Sequence, residues 1–138
     1  MVLETARSGA PFSIGGGYAN LGDGDSSRAD IIGNPGIANP STAAWFNTAA
    51  FQKPALYTFG SVPLGILDGP GFVQFNTALS KNFRVAEGKQ LQFRGEAFNA
   101  LNHVNYGSPN NNIASSLFGH ITSASTARYM QLGLKFLF

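Results

Sequence analysis

Cysteine is absent from the 138 residues. Its absence excludes a disulfide framework and thiolate chemistry. Charge is scarce: Asp, Glu, Lys and Arg make up 12% of the chain, about half the share usual in globular domains. The nine Lys and Arg are scattered and the net charge is +2, so the concentrated basic patch of a nucleic-acid binder is missing. No run of about 18 apolar residues exists, which excludes a membrane helix. Met1–Arg7 lacks a basic head followed by an apolar run, so it does not read as a secretory signal. No Gly-x-Ser-x-Gly elbow, P-loop, Gly-x-Gly-x-x-Gly or His-Glu-x-x-His motif occurs. No nucleophile–base arrangement stands out either. The chain is therefore expected not to be an enzyme and to carry no cofactor or metal.

What is present is Gly (17 copies), Phe (12 copies) and a patterned end. Met130, Leu132, Leu134, Phe136 and Phe138 alternate with Gln131, Gly133, Lys135 and Leu137. A strand sends successive side chains to opposite faces. One face of this segment is then continuously apolar, and the other is polar except at Leu137. A C-terminal strand of a soluble sandwich is the ordinary alternative. Low charge with high Gly, Asn and Phe suits alternating membrane strands joined by polar loops.

The alternation places strands at about 2–15, 72–85, 90–102 and 128–138. The first is expected to bend near Gly9 and Pro11, because proline suits an edge or a bulge. Ala86-Glu87-Gly88 reads as a tight hairpin, with Gly88 free to adopt a positive φ. Residues 103–127 form a longer loop and 16–71 a very long one, with turn signals such as Asn34-Pro35-Gly36 and Asp68-Gly69-Pro70. A helical turn is expected over Thr42–Phe51, capped by Ser41. Short and long connections thus alternate, as in outer-membrane barrels with short periplasmic turns and long extracellular loops. The fold class expected is all-β, an antiparallel meander of about four strands from a transmembrane barrel. With the hairpin periplasmic, both long loops fall outside.

Candidate sites follow from that frame. Arg84, Gln92, Arg94 and Glu96 share the polar parity and form a candidate lumen network, against simple solvation of a water-filled interior. Trp45, Phe46, Tyr57 and His103 are candidate outer-loop ligand contacts. The competing role for the aromatics, including Phe51 and Phe59, is a small core for the long loop itself. Asp23, Asp25, Ser27 and Asp30 resemble the start of a calcium loop, but Asn34 stands where the closing Glu is needed, which favours a solvated turn. His103 and His120 are too few for a metal centre. Tyr106 and Tyr129 fall near strand ends, where an aromatic girdle would lie.

Several phrases together resemble the C-terminal end of TonB-dependent outer-membrane receptors, of the group with a carboxypeptidase-regulatory-like N-terminal domain. They are Ser8-Gly9-Ala10-Pro11-Phe12, Trp45-Phe46-Asn47-Thr48-Ala49-Ala50-Phe51 and Gly69-Pro70-Gly71-Phe72, then Leu79-Ser80-Lys81-Asn82-Phe83. Leu91 to His103, Phe118-Gly119 with Ile121-Thr122, and the closing strand to Phe138 complete the order. The resemblance implies active uptake of a scarce extracellular ligand at the cell outer membrane. TonB would act through a plug, and Met130, Leu132, Leu134, Phe136 and Phe138 would be read by the barrel assembly machinery. A full receptor has about twenty-two strands, so the chain is expected to be a fragment with the remaining barrel and plug elsewhere. The alternatives are a soluble or surface β-rich binding module using the aromatic loop, and a non-functional truncated remnant. A soluble module must cover its apolar sheet face with another layer.

Overall fold

A computed structural model describes residues 1–19 and 26–138. In chain order the strands are β1 (Val2–Arg7), β2 (Pro11–Phe12), β3 (Gly15–Ala19), β4 (Ser26–Arg28), β5 (Asp30–Ile31), β6 (Phe51–Gln52), β7 (Leu67–Asp68), β8 (Phe72–Ala86), β9 (Lys89–Phe98) and β10 (Tyr129–Leu137). The fold is all-β and the strand pairs are antiparallel. The chain divides into two compact units: Met1–Ser8 with Gly71–Asn105 and Ala124–Phe138, and Gly9–Pro70 with Tyr106–Ser123.

The first unit is a four-stranded sheet in the order β1-β8-β9-β10. Its register puts Leu79 opposite Gly95 and Gly95 opposite Leu132, so the three strands share one alternation. Gly88 closes the hairpin with φ 73, and the register slips by one residue between Arg84 and Ala86. A left-handed glycine beside such a slip is the usual bulged end of a three-residue hairpin. Two expected boundaries change. The strand expected over 2–15 stops at Arg7, and Pro11 pairs elsewhere, opposite Asp68. The strand expected to reach Asn102 stops at Phe98, because Asn99 takes a left-handed backbone (φ 50) that no ladder accommodates.

The second unit has the buried core. Ile14, Ala29, Phe46, Ala50, Phe51 and Val62 form it, with Phe12, Trp45 and Phe118 among the side chains packed around it. Three short two-stranded sheets frame it: β2-β7, β3-β4 and β5-β6. Segment 106–123 joins through Gly15, whose N–H donates to Asn111 O (3.0 Å) and whose carbonyl accepts from Ile113 N (3.2 Å). The helical turn expected over Thr42–Phe51 shrinks to one 3₁₀ turn at Thr48–Ala50, capped by Asn47 rather than Ser41. Ser41 closes its own turn instead, accepting at Oγ from Ala44 N (3.2 Å).

Candidate functional site

The sheet has two chemically distinct faces. On one lie Val73 and Phe75 of β8, opposite Ala6 and Glu4 of β1, then Leu79 and Phe83 of β8, Leu91 and Phe93 of β9, and Met130, Leu132, Leu134 and Phe136 of β10, aligned rung by rung, with Glu4 and Lys81 the charged exceptions. Leu79 is 69% exposed and Leu132 78%. No apolar side chain of this unit is buried; its buried residues are Asn99 and Asn105. So extensive an apolar surface, uncovered within its own unit, requires a non-aqueous neighbour. With ten residues in β9 and nine in β10, these strands match the roughly 9–11 that a tilted strand uses to cross a bilayer.

The opposite face is polar. Ala78, Glu96 and Gln131 occupy one rung, and Ser80, Arg94 and Gly133 the next. Arg94 donates to Glu96 Oε1 from Nε (2.8 Å) and from Nη2. Gln131 donates to the other carboxylate oxygen. Glu96 thereby satisfies both oxygens on neighbouring side chains. Gln92 belongs to a separate pair, donating to Asn82 Oδ1 (2.9 Å). Arg84 stands nearer the hairpin, opposite Gln90. The candidate network is thus distributed over several rungs. Gln131 and Asn82 complete it, and their cross-strand positions follow from the register alone.

A rim of asparagines finishes the far end of the sheet. Extending the β8–β9 register would place Leu101 opposite Val73, but the chain has turned away at Asn99. The Asn105 side chain takes that place. Its Oδ1 accepts from Val73 N (2.7 Å) and its Nδ2 donates to Val73 O (2.8 Å). Asn99 donates from Nδ2 to His103 O (2.9 Å), and its Oδ1 accepts from His103 N (3.0 Å). His103, expected as a ligand contact, is exposed, with Nδ1 3.2 Å from Asn105 Oδ1. Tyr129 stacks on Phe98 at 4.8 Å between centroids. It shares the face of Gln131 and Glu96, so it is not part of an outward girdle. Tyr106 is exposed in the second unit.

The aromatic candidates of the long loop separate by burial. Phe46 is 2% exposed and its ring meets Phe12, Phe51 and Phe118 at centroid distances of 5.9, 5.7 and 5.2 Å. Trp45 is half-buried and donates from Nε1 to Asp68 O (2.9 Å). Tyr57 is 76% exposed and holds a left-handed φ of 61, an outlier for a bulky residue. Of the calcium-loop candidates, Asp23 and Asp25 lie outside the described residues. Ser27 is buried, with its Oγ donating to Arg28 O (3.0 Å), and Asp30 Oδ1 accepts from Ser61 N (2.9 Å). Among the described residues no three His, Cys, Asp or Glu side chains gather into a metal-sized cluster. His120 is half-buried in the second unit.

An antiparallel sheet with one uncovered apolar face, one polar face and a tight turn at one end is the wall of a membrane β-barrel. Residues 2–131 match the family described as outer membrane beta barrel domain, and the chain belongs to that family. Its location is the outer membrane. No curated protein and no solved structure matches the chain significantly.

Proposed function

We propose that this chain is the C-terminal barrel portion of a TonB-dependent receptor that imports a scarce extracellular ligand and performs no catalysis. The observation that carries the reading is the ordered set of phrases from Ser8 to Phe138, joined to a long Gly9–Pro70 excursion that has a hydrophobic core of its own. A segment of that length holds a fixed shape only with a small core of its own. The soluble-module alternative finds no support, since no layer within the sheet unit covers its apolar face.

In this reading the apolar face meets outer-membrane lipid. The polar face, with Arg84, Gln92, Arg94 and Glu96, meets the plug through which TonB acts. The barrel assembly machinery reads Met130, Leu132, Leu134, Phe136 and Phe138. Contact with the ligand falls to exposed loop groups, of which Tyr57 is the aromatic candidate with a free ring. The test is retention of the receptor carrying this chain, solubilised from outer membranes, on the immobilised periplasmic domain of TonB. Retention that a peptide of the TonB-contacting segment competes away is the expected result. A barrel that passes through unretained removes the receptor reading and leaves the wall intact.

A further inference from the structure

At the end of β8 away from the hairpin, the sheet unit holds a cavity of about 200 Å³. Phe72, Gln74, Asn99, Asn105, Ser125 and Thr126 line it. The register puts Phe72 opposite Arg7 and Gln74 opposite Thr5, alternating with the Ala6–Val73 and Glu4–Phe75 pairs of the apolar face. Phe72 and Gln74 therefore belong to the polar face, and the cavity lies on the side turned from lipid. In outer-membrane barrels the short turns are periplasmic, so this is the outer end of the sheet.

The floor of the cavity is held in place before any ligand arrives. Asn99 and Asn105 are both buried. Val73 N and O fix the Asn105 amide from both ends, and that pair uses only one of its two Nδ2 N–H groups. Asn99 Nδ2 donates to His103 O (2.9 Å) and to Thr126 O (3.4 Å). Ser125 and Thr126 are exposed and stand at the solvent side. None of the six lining residues is charged. Arg7 lies nearby, with Cζ 4.8 Å from the centroid of the Phe72 ring, so its guanidinium covers part of that ring. An aromatic wall with amides, hydroxyls and no charge suits a ligand that combines apolar C–H surface with neutral hydroxyls. A sugar ring has both. A highly charged metal chelate would find no opposite charge in the lining. The volume falls below the roughly 300–1,000 Å³ of drug-sized sites, which leaves room for one ring rather than a chain.

We infer that this cavity is a subsite for one neutral sugar residue of a glycan that enters the barrel from outside, with Phe72 as its apolar wall and Gln74, Asn105 and Thr126 as its hydrogen-bonding groups. The subsite supplies a class for the ligand that the receptor reading leaves open, and it rests on the barrel family rather than on that reading. The experiment is a glycan array probed with the intact barrel carrying this chain in lipid nanodiscs. Neutral glucans, mannans and xylans are offered beside polygalacturonate. At least one neutral class should be retained in preference to polygalacturonate. Gln74→Leu keeps the volume and removes the amide, and should weaken that retention about fivefold; Thr126→Val should do about the same. Retention of no neutral glycan by the unmodified barrel would overturn the subsite, whatever any variant does. A preference for polygalacturonate would assign binding to the charge of Arg7 and overturn it too. So would a folded Gln74→Leu barrel that binds like the unmodified one. Retention on TonB without glycan binding removes the subsite and keeps the receptor reading, and glycan binding without retention on TonB does the reverse.

Discussion

The two units of this chain use apolar residues in opposite ways. The sheet exposes them: Leu79, Met130, Leu132 and Leu134 all face outward, and no apolar side chain of the unit is buried. The loop unit buries them around Phe46, Ile14 and Val62. One chain thus meets two solvents. A bilayer is as apolar as a protein interior, so strands facing it need only satisfied backbone groups. A loop in water must build a core or remain unfolded. Among the described residues, buried apolar side chains therefore mark the part of the chain that folds against water.

Substitutions can test that division. The largest effect is expected from Phe46→Ala, which removes a ring packed against three others. A loss of about 3–5 kcal/mol is typical of such a truncation, and it should fall on the loop unit alone. Limited proteolysis of intact outer membranes should then cut within Gly9–Pro70, while the barrel keeps its heat-modifiable mobility. Loss of the barrel as well would erase the distinction between the units. Next comes Leu79→Arg, at the centre of the 15-residue β8. A cation at the bilayer midplane costs about 2–4 kcal/mol, read as a smaller fraction of assembled barrel. Ala78→Lys, its neighbour on the polar face opposite Glu96, should assemble normally. Equal damage from both would refute the assignment of faces. The smallest of the three is Asn105→Ala. It leaves the N–H and C=O of Val73 without the side-chain partner they have now, at about 1–3 kcal/mol. A lowered urea midpoint of the folded barrel would register it, and an unchanged midpoint would mean that water replaces the amide without loss.

The sheet was legible in the sequence because alternation is a property of side chains. Parity along 72–85 and 130–138 assigns both faces correctly, and Gly88 marks the hairpin. Where backbone geometry decides, the pattern says nothing. Leu91 to Leu101 keeps its alternation past the true end of β9, since the turn comes from the left-handed backbone at Asn99. Asn105 was invisible for a related reason: it acts as a surrogate for main chain, which hydrophobic periodicity does not encode. In the loop, Trp45, Phe46 and Tyr57 look alike as letters, but only the fold separates two packed rings from an exposed one. The helical turn expected over Thr42–Phe51 forms only at Thr48–Ala50, because the residues before it are held by long-range bonds, Trp45 N to Gly119 O (2.9 Å) and Asn47 N to Pro35 O (2.9 Å), which compete with local ones.

The pairing of Pro11 with Asp68 and Phe12 with Leu67, reinforced by Gly69 N donating to Ala10 O at 2.9 Å, draws the entry and exit of the long excursion together. The approach is so close that a side-chain carbon on Gly9 would sit 1.8 Å from Gly69 O. For an engineer this neck is a splice junction. Two strands leave side by side, and an insert exchanged beyond them must also replace what segment 106–123 now meets, since Phe118 packs on Phe46 and Asn111 accepts from Gly15 N.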